Sequence, residues 1–445
     1  MYNSFNIIHL SKIRIMQLNL NFVFMKNRRA IILLFLANII SGLAQGISMI
    51  AIPWYFVEVI DRSSTFTNSY LLITFLTLFW GLYAGTLIDR YSRKKLFIYV
   101  NLVCGTIIGL VALYGFLNKF LPDFLVILVF ATTIFNYNIH YPNLYAFGQQ
   151  ITERKYYGKL NSIIEIQGQV TSVLAGAFAA ILLTGIQNNN IEIGGINFSI
   201  PFSIEAWTIY EIFLLDAITY LFVIIIFTLI RYQSVVIDKI NKENILERFK
   251  QGYSFLEKNR KIFIFGIFSY VLFAFTLVMI HILLPSYVHD FLNMGGHVYA
   301  SSEIYYSFGA IFSGFLIINI FKRVSSFVSI AILFFLVSIT FFLMSFYKIL
   351  WLFFIGSFIL GITNAGVRII RTTFLFNNIP NNIIGRVNSV FNSFNIIMRI
   401  CLITIFSISF FNYESNIRFT YLIGGLIILL AIVPLMNLYQ SNKNN

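Results

Sequence analysis

A chain of 445 residues that is 58% hydrophobic, only 11% charged and of mean hydropathy +0.82 has too little polar surface to cover a water-soluble globule, so its solvent is a bilayer. The net charge of +14 would point a soluble protein toward nucleic acid; here topology and anionic membrane lipid absorb it, and no nucleic-acid partner is needed. Lipid leaves backbone N–H and C=O groups unsatisfied, and the apolar runs are about 20 residues long rather than the roughly 10 of barrel strands, so the fold class is an all-α membrane protein.

Residues 1–24 differ in character from the rest of the chain. Their apolar patches, 5–10 and 18–24, are too short and too rich in Asn for a signal peptide. Met25, followed by Lys26, Arg28 and Arg29, is the more natural start, and 1–24 is read as a disordered or mis-annotated extension. Twelve spans are then predicted, over 30–57, 68–88, 96–117, 122–147, 160–185, 208–230, 262–288, 299–320, 325–346, 350–374, 387–411 and 418–438. Lys and Arg crowd the termini and the even-numbered loops, while the odd-numbered loops carry Arg62, Lys119, Lys348 and Arg418. The positive-inside rule therefore puts both termini in the cytoplasm.

The sequence repeats itself. Gly158-Lys159-Leu160-Asn161-Ser162-Ile163 comes after the fourth span, and Gly385-Arg386-Val387-Asn388-Ser389-Val390 after the tenth. Two six-helix halves, 25–230 and 262–445, are the consequence, joined by a cytoplasmic linker, 231–261. In that linker Ile245, Phe249, Tyr253 and Leu256 recur at helical spacing against Lys242, Glu243, Glu247, Lys250, Glu257 and Lys258, which describes an amphipathic helix lying on the membrane surface. In the outer loop before span six, alternation about Gly194-Gly195 predicts a small β-hairpin over 190–200. Cys104 and Cys401 are read as buried small hydrophobes.

The end of span two reads Gly81-Leu82-Tyr83-Ala84-Gly85-Thr86-Leu87-Ile88-Asp89-Arg90-Tyr91-Ser92-Arg93-Lys94-Lys95. Small residues four apart allow a close helix approach, and a carboxylate at the water boundary followed by basic residues makes a lock that can form and break. This pattern resembles the cytoplasmic loop signature of the major facilitator superfamily. The resemblance extends to the branch of macrolide-efflux permeases and the enterobactin exporter, through Gly46–Trp54 in span one, Asp216-Ala217 in span six, and Gly361–Gly366 leading to Pro380 and Gly385-Arg386-Val387. It implies a monomeric secondary-active exporter of the drug:proton antiporter type, in the bacterial inner membrane, in which Asp89 caps the start of span eleven in the outward-open state and Arg90 and Arg93 hold the loop. Drug antiporters of this type often carry an Arg in span four and a Gly-Pro pair in span five; here span four has no Arg and span five keeps Gly176.

Polar stripes mark where a cavity would lie. Asn388, Asn392, Asn395 and Arg399 share one face of span eleven, with Arg399 near mid-bilayer, where a bare charge costs at least about 2.5–3.5 kcal/mol. Asn364, Arg368 and Arg371 share a face of span ten, Asn161, Glu165 and Gln169 a face of span five, and Asn38 and Gln45 lie in span one. Glu165 sits roughly 8 Å inside the inner end of its span, so an inner gate in which it pairs with Arg368 or Arg371 is expected; an ion pair that simply glues the halves fits equally. Asp216, buried in span six, is the other candidate proton carrier besides Glu165, with a structural hydrogen-bonded role as its alternative. His140 and His281 are read as satisfied core or interface residues, and Tyr137, Tyr305 and Tyr306 as cavity residues.

An exporter of a small amphipathic compound, such as a drug, macrolide, siderophore or peptide, fits this pattern. An importer or lipid flippase of the same fold, or a non-transporting receptor or assembly factor, stays open. An enzyme is not supported: the sequence has no phosphate loop, no metal-ligand spacing and no nucleophile with its base, and no cofactor is implied.

Overall fold

The computed structural model describes residues 27–186, 190–199, 201, 203–232, 245–320, 324–380 and 383–443. The extension 1–24 lies outside them. Long apolar runs become long helices: α1 (Arg28–Trp54), α2 (Ser63–Arg90), α3 (Arg93–Asn118), α4 (Asp123–Ile151), α5 (Tyr157–Thr184) and α6 (Ile209–Leu229). After the linker helix α7 (Ile245–Lys258) come α8 (the helical run Arg260–Leu292), α9 (Gly296–Ile320), α10 (Ser326–Phe346), α11 (Leu350–Asn378) and α12 (Ile384–Phe406). The chain ends in α13 (Arg418–Leu430) and α14 (Ile432–Lys443). Among the described residues, 11 helices are long and apolar enough to cross a membrane. A further one, α9, is comparably long at 25 residues but carries Ser301, Ser302, Glu303, Ser307 and Ser313.

Local chemistry sets the ends. Thr208 and Glu211 form a reciprocal capping box that starts α6. Gly185, at φ +70°, ends α5. α1 closes in a π-helical turn, Tyr55–Val59, just beyond Pro53, and α8 holds two more, Met279–Leu283 and Tyr287–Leu292. Such turns re-aim side chains near functional sites, and these three bring α1 and α8 together at one end of the molecule.

The hairpin forms as expected: β1 (Asn190–Ile193) pairs antiparallel with β2 (Ile196–Ser199), Ile193 opposite Ile196, with Gly194 and Gly195 at positive φ in the turn. It marks the hairpin end of the bundle; α7 marks the opposite, linker end. Helices α1 to α6 pack on one another, α3 on α6 and α1 on α5 and α6, as do α8 to α14, α9 on α11 and α10 on α11 and α13. The two groups meet where α9 lies on α5 and α12 on α2. Glycines allow the tightest of these contacts: a Cβ on Gly309 would strike the Phe358 carbonyl, and one on Gly361 the Tyr306 carbonyl, so α9 and α11 touch backbone to backbone.

The apolar side of α7 packs on the start of α12: Phe249 and Leu256 pack with Val387, Val390 and Phe391, and Gly252 sits against the backbone of Arg386. One expectation is corrected here. Cys104 is buried, but Cys401 is exposed.

Candidate functional site

At the hairpin end, contacts between the two helix groups are aromatic and dense. Trp54, at the close of α1, stacks on Tyr299 of α9 with ring centroids 5.7 Å apart and meets His289 of α8 edge-on at 6.1 Å. His289 joins the carboxylates of Glu58 at 2.9 Å and Asp290 at 2.6 Å. The hairpin adds a clasp. Gly194 N–H donates to Ser301 Oγ at 2.8 Å, and the Tyr305 hydroxyl donates to the Gly194 carbonyl at 2.7 Å, so a turn between α5 and α6 is pinned on α9. Tyr305 also stacks on Phe354, 4.6 Å away. Its hydroxyl is thus used by the turn, while its ring lines an apolar cavity between α9 and α11 with Phe308, Phe312, Ile355 and Phe358.

Mid-bundle, α1, α4 and α6 share a polar network. The Gln45 amide donates to Ser41 Oγ (2.7 Å) and the Tyr220 hydroxyl (3.0 Å), Asn136 donates to the same hydroxyl (3.2 Å), and Ser48 donates to Asp216 (3.2 Å). Gln45 and Asp216 are buried, which moves Gln45 from the expected cavity into the packing of α1 on α6. Among the described residues Asp216 Oδ1 has no hydrogen-bond partner. Asn38 meets His140 Nε2 at 2.9 Å, and Asn364 donates to Tyr306 at 2.7 Å, joining α11 to α9. On α12, Asn388 and Asn392 are exposed, whereas Asn395 is buried with its amide nitrogen unpartnered among the described residues. Arg399 is half-buried with its Nε unpartnered among the described residues, and the Tyr70 and His281 rings pack edge to face at 5.5 Å where α2 meets α8. Buried polar atoms without partners cost about 1–3 kcal/mol each, so Asn395 and Arg399, one turn apart on α12, suit a surface that takes up a polar ligand.

The residue that sequence reasoning missed is Glu303. It lies on α9 where α9 meets α5: a Cβ on Gly176 would fall 2.9 Å from the Ala300 carbonyl and 3.2 Å from Glu303 Cβ. The glycine retained in span five thus makes room for this crossing. A signal for it exists in the sequence, since an ionisable residue inside an apolar helix is a functional candidate by default. Its neighbours Ser301 and Ser302 mask that signal by giving the segment the polarity of a helix boundary.

At the linker end Glu165 and Arg368 meet across the groups at 3.1 Å, and the Tyr145 hydroxyl donates to Glu165 at 2.6 Å. Arg371 does not join them. It is buried, donates to the Ser269 carbonyl at 3.1 Å, and lies 3.6 Å over the Tyr270 ring, so it fastens α11 to α8. Of the loop motif, Arg93 donates to the Ala146 carbonyl at 2.8 Å and its own carbonyl accepts from Asn143. The side chains of Asp89 and Arg90 lie outside the described part of the structure. Among the described residues, a Cβ on Gly85 would meet nothing within 4 Å, and one on Gly81 would make an ordinary contact with Asn138 of α4 at 3.9 Å.

A family model for the Major Facilitator Superfamily matches residues 34–401. No curated protein matches the chain. Among solved structures, a bacterial homologue of the iron transporter ferroportin in an inward-facing state is 12% identical with a TM-score of 0.68, over 92% of this chain and 98% of that one. The POT family transporter PepTSo is 11% identical with a TM-score of 0.67, over 94% and 99%. The nucleoside transporter NupG is 15% identical with a TM-score of 0.64, over 92% and 99%. At these identities the likeness is one of fold.

Proposed function

The chain belongs to the Major Facilitator Superfamily, multi-pass membrane carriers of small molecules, and from that premise we propose that it is a secondary-active exporter of a small amphipathic compound. It works by alternating access, with α1 to α6 and α8 to α14 as two six-span halves that rock about a central cavity. One observation carries this reading: the halves meet through a dense aromatic and hydrogen-bonded seam at the hairpin end, whereas at the linker end the side-chain contact seen across them among the described residues is a half-exposed ion pair, Glu165–Arg368. Such asymmetry suits a carrier whose hairpin end is shut and whose linker end is held by a breakable contact.

The basic loops put the linker end and both termini in the cytoplasm of a bacterial cell, which makes this the inward-directed side. Protons are the coupling ion in this reading, and Asp216, with its unpartnered oxygen beside Ser48, is the carrier group in preference to Glu165, whose carboxylate is held by Arg368 and Tyr145. Asp89 serves as the switch of the α2–α3 loop. The chain acts as a monomer in lipid.

The test is efflux in a pump-deficient bacterial host carrying the chain or its Asp89→Asn or Asp216→Asn variant. Lowered accumulation of a compound that needs Asp89 and collapses with an uncoupler supports the proposal. Raised accumulation would replace it with import, and lipid scrambling in vesicles without solute transport would replace it with a flippase.

A further inference from the structure

His289 stands where a proton changes what the ring can do. Its Nδ1 meets Asp290 Oδ1 at 2.6 Å and its Nε2 lies 2.9 Å from Glu58 Oε2, so each ring nitrogen faces a carboxylate oxygen. A neutral imidazole has one N–H and one lone pair, and here it turns that lone pair on one of the carboxylates. The imidazolium has an N–H for each and attracts both. Asp290 is the neighbour of His289 on α8, but Glu58 comes from the close of α1, in the other helix group. The proton therefore decides a contact between the groups rather than one within either.

The surroundings leave this role to His289. Glu58 and His289 both stand on π-helical turns, Tyr55–Val59 and Tyr287–Leu292, which re-aim side chains and here bring the two together across the seam. Basic residues of the same end are engaged elsewhere: Arg62 with Asp123, Lys348 with the Asn293 amide, Lys119 over the Phe116 ring and Arg418 over the Phe419 ring. Asp61, in the loop after α1, adds negative charge beside Asp290. Both ring nitrogens of His289 are taken by carboxylates, which leaves no lone pair for a metal ion, and its side chain is 37% exposed, so protons in water reach it. The other imidazole of the seam, His297, lies 3.9 Å from Glu192 of the hairpin; burial holds it below the ordinary histidine range against the pull of that carboxylate. A proton on His297 therefore opposes closure, whereas one on His289 favours it.

Resting on the reading of the two helix groups as halves that rock, we propose that Glu58, His289 and Asp290 form a proton-operated latch on the hairpin side: a proton bound at His289 holds that end shut, and its loss in a less acidic medium releases it. Where the ring is charged the latch joins two carboxylates through one cation; where it is neutral the contact with Glu58 loses its attraction and the seam loosens.

The test is double electron–electron resonance on the purified full chain carrying Cys401→Ser, with spin labels at Leu117→Cys on α3 and Tyr347→Cys after α10, both exposed and on opposite halves at the hairpin end. The open fraction of this parent rises about three- to fivefold between about pH 5.5 and about pH 8. His289→Lys, a cation throughout, stays shut at both values, and His289→Asn, neutral throughout, stays as open at both as the parent is at the higher; if one of the pair fails to fold, the other decides. Glu58→Gln flattens the response as well. A parent that opens as the pH falls assigns the response to His297 and overturns the latch, and so does a pH response that survives in His289→Asn. Distances that ignore pH but shift with Arg368→Gln overturn the latch and leave the rocking halves standing; distances that answer neither remove both.

Discussion

Breaking the Glu165–Arg368 pair should open the linker end by a small and calculable amount. The two side chains are 47% and 44% exposed, so water screens the pair heavily and its worth is that of an exposed ion pair, about 0.2–1 kcal/mol. At RT of about 0.59 kcal/mol the upper figure is about a fivefold change in the closed-to-open ratio, enough to shift populations without unfolding either half. Glu165→Gln and Arg368→Gln should each give that shift, their combination no more than either alone, and the swap Glu165→Arg with Arg368→Glu should return most of it. Spin labels at Gly158→Cys and Gly385→Cys, the equivalent positions of the internal repeat, would read it by double electron–electron resonance. Both sites have open space around a new Cβ, and the native exposed Cys401 would first be replaced by Ser. Longer 158–385 distances in the single variants, restored in the swap, are the expected result. Unchanged distributions in both singles, or a swap that behaves like the sum of its parts, would refute the gate.

The same contacts predict three further outcomes. Ser301→Ala and Tyr305→Phe each leave a Gly194 backbone group in the hairpin-end seam without its partner, at about 1–3 kcal/mol, and should raise the labelling rate of cysteines placed in that seam. Arg371→Lys keeps the charge but loses the planar stack on Tyr270, so it should lower Tm as Arg371→Gln does, and charge exchange with Glu165 should not rescue it. Gly361→Leu drives a side chain into the Tyr306 carbonyl and should abolish membrane expression, whereas Gly85→Leu, in open space, should leave expression intact.

The helices were legible because lipid imposes length and composition together, and no soluble alternative accommodates such runs. The observed ends fall within a few residues of expectation, as in α9, expected over 299–320 and found at Gly296–Ile320. The hairpin was legible from Gly194-Gly195 because that turn demands positive φ. Partner choice was not. Glu165, Arg368 and Arg371 are equally polar in sequence, and spacing puts both arginines on one face of α11. What separates them is Tyr270 on α8, a residue brought near by the fold alone. Gln45 shows the same thing, since a polar side chain in a span satisfies itself on a neighbouring helix as readily as on a ligand.

The different fates of the two arginines bear on how the carrier can move. Arg371 binds α11 to α8, and Arg93 binds the α2–α3 loop to α4, both through short bonds to backbone carbonyls within one half. Glu165–Arg368 joins side chain to side chain across the halves and is open to water. A bond to a buried carbonyl costs a desolvated group when it breaks, whereas a hydrated ion pair exchanges its partner for water at little cost. Strain applied at the linker end would therefore divide between the two helix groups before it divides within either. The hairpin clasp extends the same logic to the other end. Its bonds join a turn of one half to side chains of the other, in a partly buried seam, so that end is the costlier one to open, and whatever opens it must first offset the loss of these bonds.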